Sequence, residues 1–247
     1  MAQGESSHTI PEKLVNRVNK SSALDWSRPL VVATVHSPAG LRMAERLERG
    51  EVDLLELRAD ALADCMAGVR KFLHNAKLPV LLTVRHPDEG GIGKLSSAKR
   101  RSLFDELLPF AALVDVELRS VAALREVIAA AKERRIRVVV SDHHFHRTPT
   151  LAKMRERRRR AIAAGADVFK LAAVAEDAGA VARMIDFVAA GGALPLAVMG
   201  MGRFGRVSRL VLASAGSVLN YGYLDKPNAP GQWEARELMG LLQRIAR

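Results

Sequence analysis

A single cysteine, Cys65, rules out an internal disulfide and suits a reducing compartment such as the cytoplasm. Its neighbours do not look like the surroundings of a catalytic thiol, and it reads as a buried spectator. Aromatic residues make up only 4% of the chain, and none interleaves with the densest basic run. Stacking platforms for single-stranded nucleic acid are therefore missing. No helix-turn-helix or zinc-finger spacing is found. No apolar run approaches the roughly 18 residues of a membrane span, so no membrane association is expected. The first 25 residues are polar and lack the apolar centre of a signal peptide. Lysine is also sparse, at 10 of the 38 basic residues.

The apolar content of 49% is enough for a sizeable core, and 247 residues fit one large α/β domain. Residues 1–27 read as a polar, partly disordered arm and 28–247 as the catalytic domain. The formal charge of +11 points to an anionic small molecule, to nucleic acid, or to an arginine-rich surface. The run Arg155 to Arg160 falls within a helical pattern and reads as a solvated helix face.

Short apolar runs begin near Leu30, Asp53, Leu78, Leu113, Ile136, Asp167, Leu194 and Ser217. Segments of helical period lie between them, such as Leu41 to Glu48 and Val121 to Arg134. Strands alternating with helices imply parallel pairing through crossover helices. Eight such units point to a single-domain α/β protein, a (β/α)8 TIM barrel. A doubly wound open sheet is the alternative. It needs a phosphate-binding glycine fingerprint after the first strand, and Val35-His-Ser-Pro-Ala-Gly40 is not one.

A barrel gathers its active residues at the C-terminal ends of its strands. The unusual polar residues fall there: Glu56 and Arg58, Arg85 and Glu89, Asp115 and Glu117, His143, Lys170, Arg209 and Gln232. Lys170 stands out, because Asp167-Val-Phe-Lys170-Leu-Ala-Ala is otherwise an apolar run. An unpaired ammonium in an apolar site is costly, and burial favours the neutral amine that attacks a carbonyl. The expectation is a Schiff-base enzyme.

Six strings occur in order, one per strand end. They are Leu54-Leu-Glu56-Leu-Arg58-Ala-Asp60, Thr83-Val-Arg85 with Glu89-Gly-Gly91, and Ser141-Asp-His143-His-Phe145 with Thr148-Pro149. Asp167-Val-Phe-Lys170-Leu-Ala, Met199-Gly-Met-Gly202-Arg-Phe-Gly205-Arg-Val-Ser208-Arg209 and Ala229-Pro-Gly-Gln232 follow. From about Leu30 to the C-terminus this set resembles type I 3-dehydroquinate dehydratase, the Schiff-base lyase of the shikimate pathway, in which aromatic amino acids are made.

The resemblance implies the same barrel and the dehydration of 3-dehydroquinate to 3-dehydroshikimate, with no cofactor. It implies that Lys170 forms the imine, that His143 is the general acid/base, and that Glu89 orients its imidazole. Arg209 resembles the clamp on the substrate carboxylate. Arg58 and Arg85 resemble residues that bind substrate hydroxyls and build an inner charge network with Glu56. Asn228 and Gln232 sit on a loop from Leu224 that resembles a lid over the substrate.

Three residues depart from the family's pattern. His144 replaces an acid, Gly200 a serine in the Met-Ser-Met-Gly string, and Asn228 a serine in the lid. A metal is not expected, because neighbouring strand residues point to opposite sides and His143, His144 and His146 cannot all meet one ion. Two alternatives stay open: another Schiff-base barrel enzyme, aldolase-like, acting on a small anionic keto compound, or a basic nucleic-acid-binding protein. The leading expectation is a cytoplasmic enzyme with a small anionic substrate and no nucleic-acid partner, with homodimerisation left open.

Overall fold

The computed structural model describes residues 24–245. Its strands are β1 (Leu30–Val35), β2 (Leu54–Arg58), β3 (Val80–Thr83), β4 (Leu113–Glu117), β5 (Arg137–His144), β6 (Val168–Val174), β7 (Leu196–Met201) and β8 (Leu219–Tyr223). After them in turn come α1 (Pro38–Ala44), α2 (Met66–Asn75), α3 (Ser97–Leu107), α4 (Arg125–Glu133), α5 (Leu151–Ala163), α6 (Ala178–Ala189), α7 (Gly205–Ser214) and α8 (Ala235–Ile245).

All strand pairs are parallel and follow chain order, and β8 returns to β1 with Val32 beside Tyr221. That closure excludes the doubly wound sheet. The seam between β7 and β8 closes through one backbone bond and one side chain. Val218 donates its N–H to the Leu196 carbonyl at 2.8 Å. The Ser217 hydroxyl accepts from Val198 N at 2.9 Å and donates to Val198 O at 3.1 Å. The fold is thus a (β/α)8 barrel.

Local chemistry sets the helix starts. Ser37, Ser96, Thr150 and Asp177 each accept a backbone N–H with the side chain at an N-cap, which satisfies a donor the helix leaves free. Helix α1 therefore begins at Pro38, ahead of the periodic segment expected from Leu41, and ends at Ala44.

The apolar core has two parts. One lies between strands and helices. The other fills the lower barrel with Leu30, Val32, Leu54, Leu81, Leu113, Val139, Val168 and Leu219. Of the arm expected over residues 1–27, the stretch up to 23 lies outside the described residues. Leu24 is buried and packs with Trp26 against that lower core. The Arg137 guanidinium lies 5.2 Å from the Trp26 ring centre. Among the described residues no helix is long and apolar enough to cross a membrane.

Candidate active site

Along each strand, alternate residues face the barrel axis. Below, those residues are apolar; one pleat higher they are Thr34, Glu56, Thr83, Asp115, Ser141 and Lys170, all buried. Arg58, Arg85, Glu117 and His143 follow toward the C-terminal mouth. The barrel thus changes from hydrocarbon to a packed ion network over one pleat. Such charges are tolerated in low dielectric only when each is matched and hydrogen-bonded.

Lys170 is 3% exposed. Its Nζ lies 3.1 Å from Asp115 Oδ2, 3.5 Å from Glu56 Oε1 and 3.9 Å from the Tyr221 ring centre. The unpaired lysine in an apolar site, expected from the sequence, is corrected here. Its strand is apolar, but the residues across the barrel are two carboxylates and an aromatic face. Arg85 completes the network with two bonds to Asp115 at 2.8 and 2.9 Å, one to Glu117 at 3.1 Å and one to Ser141 Oγ at 2.8 Å. Burial works to raise the Asp115 carboxyl, but Arg85 and Lys170 outweigh it and hold Asp115 far below the usual carboxylate range. Glu56 is held low in the same way, chiefly by Lys170, against its burial. It accepts from Thr34 and Thr83, each at 3.1 Å.

His143 lies on β5 beside Lys170 on β6. Ser141 is level with Lys170, and His143 stands two residues nearer the mouth. Its Nδ1 is 2.8 Å from Glu89 Oε2. Glu89 comes from a short turn after β3, Pro87–Glu89, which three contacts pin in place. His86 N donates to Glu117 at 2.8 Å, Arg58 donates to Gly90 O at 3.0 Å, and Gly91 N donates to His86 O at 3.0 Å. Gly91 permits that turn, since a Cβ there would meet Arg85 O at 2.4 Å.

Burial pushes the Glu89 carboxyl up to about 8; Arg85 opposes this, and Glu117, Asp142 and Asp115 add to it. Burial, with the Arg85 and Lys170 cations, holds the His143 imidazole well below its ordinary value. The two share one hydrogen bond, so their protonation is coupled. That suits a group that both removes and returns a proton.

Arg209, on α7, is 2% exposed. It donates to Tyr221 O at 3.0 Å and Gly231 O at 3.3 Å. Elsewhere in the site each buried cation has a carboxylate: Arg58 has Asp60, Arg85 and Lys170 have Asp115, and Arg100 has Glu117. Arg209 makes no ion pair among the described residues, and burial alone lowers its pKa to about 10. A guanidinium on a cavity wall presents a planar fork of donors that matches the two oxygens of a carboxylate.

The loop after β8 closes this side. Gln232 Oε1 accepts from Asn228 N at 2.9 Å and Ala229 N at 3.2 Å. Gly231, at φ +77°, packs against Gly205, where a Cβ would meet that residue's Cα at 2.8 Å. Asn228 Oδ1 is buried and has no hydrogen-bond partner among the described residues.

All nine residues expected at the site line one cavity of about 520 Å³, its open mouth included: Glu56, Arg58, Arg85, Glu89, His143, Lys170, Arg209, Asn228 and Gln232. Arg58 is bound by Asp60 at 2.8 and 2.9 Å rather than by Glu56. Sequence reasoning missed Thr34, Phe145, Met199, Met201 and Tyr221, which also line it. Strand alternation carries the signal for Thr34 and Tyr221, since both lie on the inner face. His144 points away from His143, with Nε2 2.8 Å from Asp142 Oδ2. Gly200 has a steric cause, because a Cβ there would lie 2.3 Å from Ser208 Oγ.

The family model described as Type I 3-dehydroquinase matches residues 29–247. The 3-dehydroquinate dehydratase of Methanocella arvoryzae is 33% identical over 212 residues, covering 85% of this chain and 94% of the relative. That of Methanosarcina barkeri is 32% identical over 237 residues, covering 90% and 97%. The crystal structure of the Clostridium difficile type I enzyme with covalently modified comenic acid superposes with a TM-score of 0.79. It is 26% identical and covers 88% of this chain and 92% of that one. The 3-dehydroquinate dehydratase of Geobacillus kaustophilus gives 0.76 at 29% identity, covering 90% and 93%.

Proposed function

The chain belongs to the type I 3-dehydroquinase family, and from that premise we infer that it is a lyase dehydrating 3-dehydroquinate to 3-dehydroshikimate in the shikimate pathway. The observation that carries the assignment of roles is the placing of three groups around one cavity. They are the buried amine of Lys170, the linked pair His143–Glu89, and the unmatched guanidinium of Arg209.

The substrate carboxylate docks on Arg209 and sets the ring across the barrel mouth. The Lys170 ammonium gives up a proton, and the amine adds to the ketone carbon. Loss of that oxygen as water leaves a protonated imine on Nζ. The imine withdraws electrons from the neighbouring carbon and acidifies its proton. His143 removes this proton through the ring nitrogen not engaged by Glu89. The electron pair then expels the hydroxyl on the next carbon, and His143 returns the proton to it as it leaves as water. A second water hydrolyses the imine and frees Lys170. Asp115 and Glu56 favour cationic forms of Nζ and so support the electron-withdrawing imine. The Leu224–Gln232 loop excludes bulk water from the imine. Residues 28–247 act as the catalytic domain. The lone cysteine supports a reducing cytoplasm, and the small cavity lined by charged and polar side chains supports a small-molecule partner rather than nucleic acid.

Borohydride reduction in the presence of 3-dehydroquinate tests the reading. The peptide carrying Lys170 should gain the mass of one reduced, dehydrated or undehydrated, ligand. Labelling at another lysine, or at none while turnover proceeds, refutes the imine.

A further inference from the structure

Tyr221 takes part in none of the steps above, yet it touches the nitrogen on which they occur. It is the inward residue of β8 at the level of Val32, is 3% exposed, and lines the same cavity. Its ring centre is 3.9 Å from Lys170 Nζ. Its hydroxyl is buried and has no hydrogen-bond partner among the described residues. Burial, with Glu56 and Asp115 nearby, holds the phenol well above its ordinary value, so the O–H keeps its proton and its capacity to donate.

An unsatisfied buried hydroxyl is a standing cost to the folded protein. Phenylalanine would supply the same ring without that cost. A tyrosine here calls for a partner that arrives with the ligand. The ring adds a second property. Its electron-rich face lies against Nζ and favours whatever positive charge that nitrogen carries. The charge is present in the ammonium and in the protonated imine, and absent in the neutral amine and the carbinolamine.

We propose that Tyr221 is a further catalytic residue. Its ring face supports the positive charge of the protonated imine, and its hydroxyl hydrogen-bonds a substrate oxygen beside that nitrogen. The proposal rests on the dehydratase reading and adds to it a residue that senses both the imine and the oxygen next to it.

Two variants separate the halves. Tyr221→Phe removes only the hydroxyl. Loss of one such hydrogen bond should lower kcat/KM on the order of tenfold. The ligand-free protein should melt at the same temperature or higher, because the orphan group is gone. A residue of purely structural importance would show the reverse: a lower melting temperature with kcat/KM unchanged, and that result overturns the hydroxyl's role. Tyr221→Leu removes the ring as well. At saturating substrate, the fraction of Lys170 trapped by borohydride should fall below that of Tyr221→Phe. Equal trapping in the two variants overturns the ring's role. Wild-type protein run alongside keeps the two readings apart. No trapping in wild type defeats the imine itself, whereas normal wild-type trapping with unaltered kinetics in both variants defeats only the role of Tyr221.

Discussion

Replacing Arg209 by methionine should leave the empty protein about as stable as before and still cripple substrate binding. The magnitudes follow from its surroundings. Burial lowers the guanidinium from its ordinary value to about 10. An arginine does not deprotonate at working pH, so the shift measures the strain of holding the cation out of water, about 3 kcal/mol. Because a base with a depressed folded pKa is disfavoured wherever it is charged, this cost is present throughout the physiological range and fades only above pH 10. Methionine abolishes it but strands the Tyr221 and Gly231 carbonyls, at about 1 kcal/mol each. The net change lies within about 1 kcal/mol, a shift of roughly 2–4 °C in a barrel of this size. Binding is different. Removing one partner of a desolvated charge pair costs about 2–5 kcal/mol, which raises KM from tens to thousands of fold. Thermal melts with and without substrate, beside steady-state formation of the conjugated enone, read both effects. Arg209→Lys should recover only part of the loss, since an ammonium lacks the planar two-point contact. A variant that melts roughly 10 °C lower, while KM moves less than about threefold, would refute the reasoning. Arg209 would then be a structural strut and the carboxylate would bind elsewhere.

The barrel is legible in the sequence because parallel strands covered on both faces read as short apolar runs. Its polar exceptions are legible as a site for the same reason: Glu56 and Lys170 interrupt runs that are otherwise apolar, and His143 follows the end of one. Their pairings are not legible. Asp115 stands 55 residues from Lys170 and Glu56 114 residues away, and no periodicity links them. Lys170 therefore reads as a solitary amine until the barrel closes. Arg209 is the opposite case. That no carboxylate among the described residues pairs with it leaves no trace in the chain and emerges only from the packing. Gly200 reads as a loosened motif, whereas in space it makes room for Ser208 from the following helix. Tyr221 is hidden for a simpler reason. In a strand, a tyrosine reads as ordinary core, and its orphan hydroxyl emerges only when its neighbours are known.

Lys170→Met should abolish turnover, and the barrel should survive with about 3 kcal/mol less stability. Breaking a buried pair costs about that much, while Asp115 keeps Arg85 and Glu56 keeps its threonine donors; unchanged stability by urea titration would contradict the pairing. Gly200→Ser should destabilise, and Ser208→Gly in the same chain should restore part of the loss, because the two side chains compete for one space; additive losses would refute that. The pH dependence of stability follows from the His143–Glu89 pair. Glu89 has a folded pKa raised from 4.5 to about 8, so between those values the folded state holds a proton that the unfolded chain has lost, and stability falls as pH rises. His143 is lowered well below 6.5, so below that value the unfolded chain holds the extra proton and stability rises with pH. The two trends oppose each other up to about pH 6.5, and above it Glu89 acts alone. Wild-type stability should therefore decline from pH 6.5 to about 8. Glu89→Gln, which mimics the protonated carboxyl, should flatten that decline while losing turnover. A decline of the same slope in Glu89→Gln would mean that another group carries the proton, and the acid/base unit drawn here would have to be reassigned.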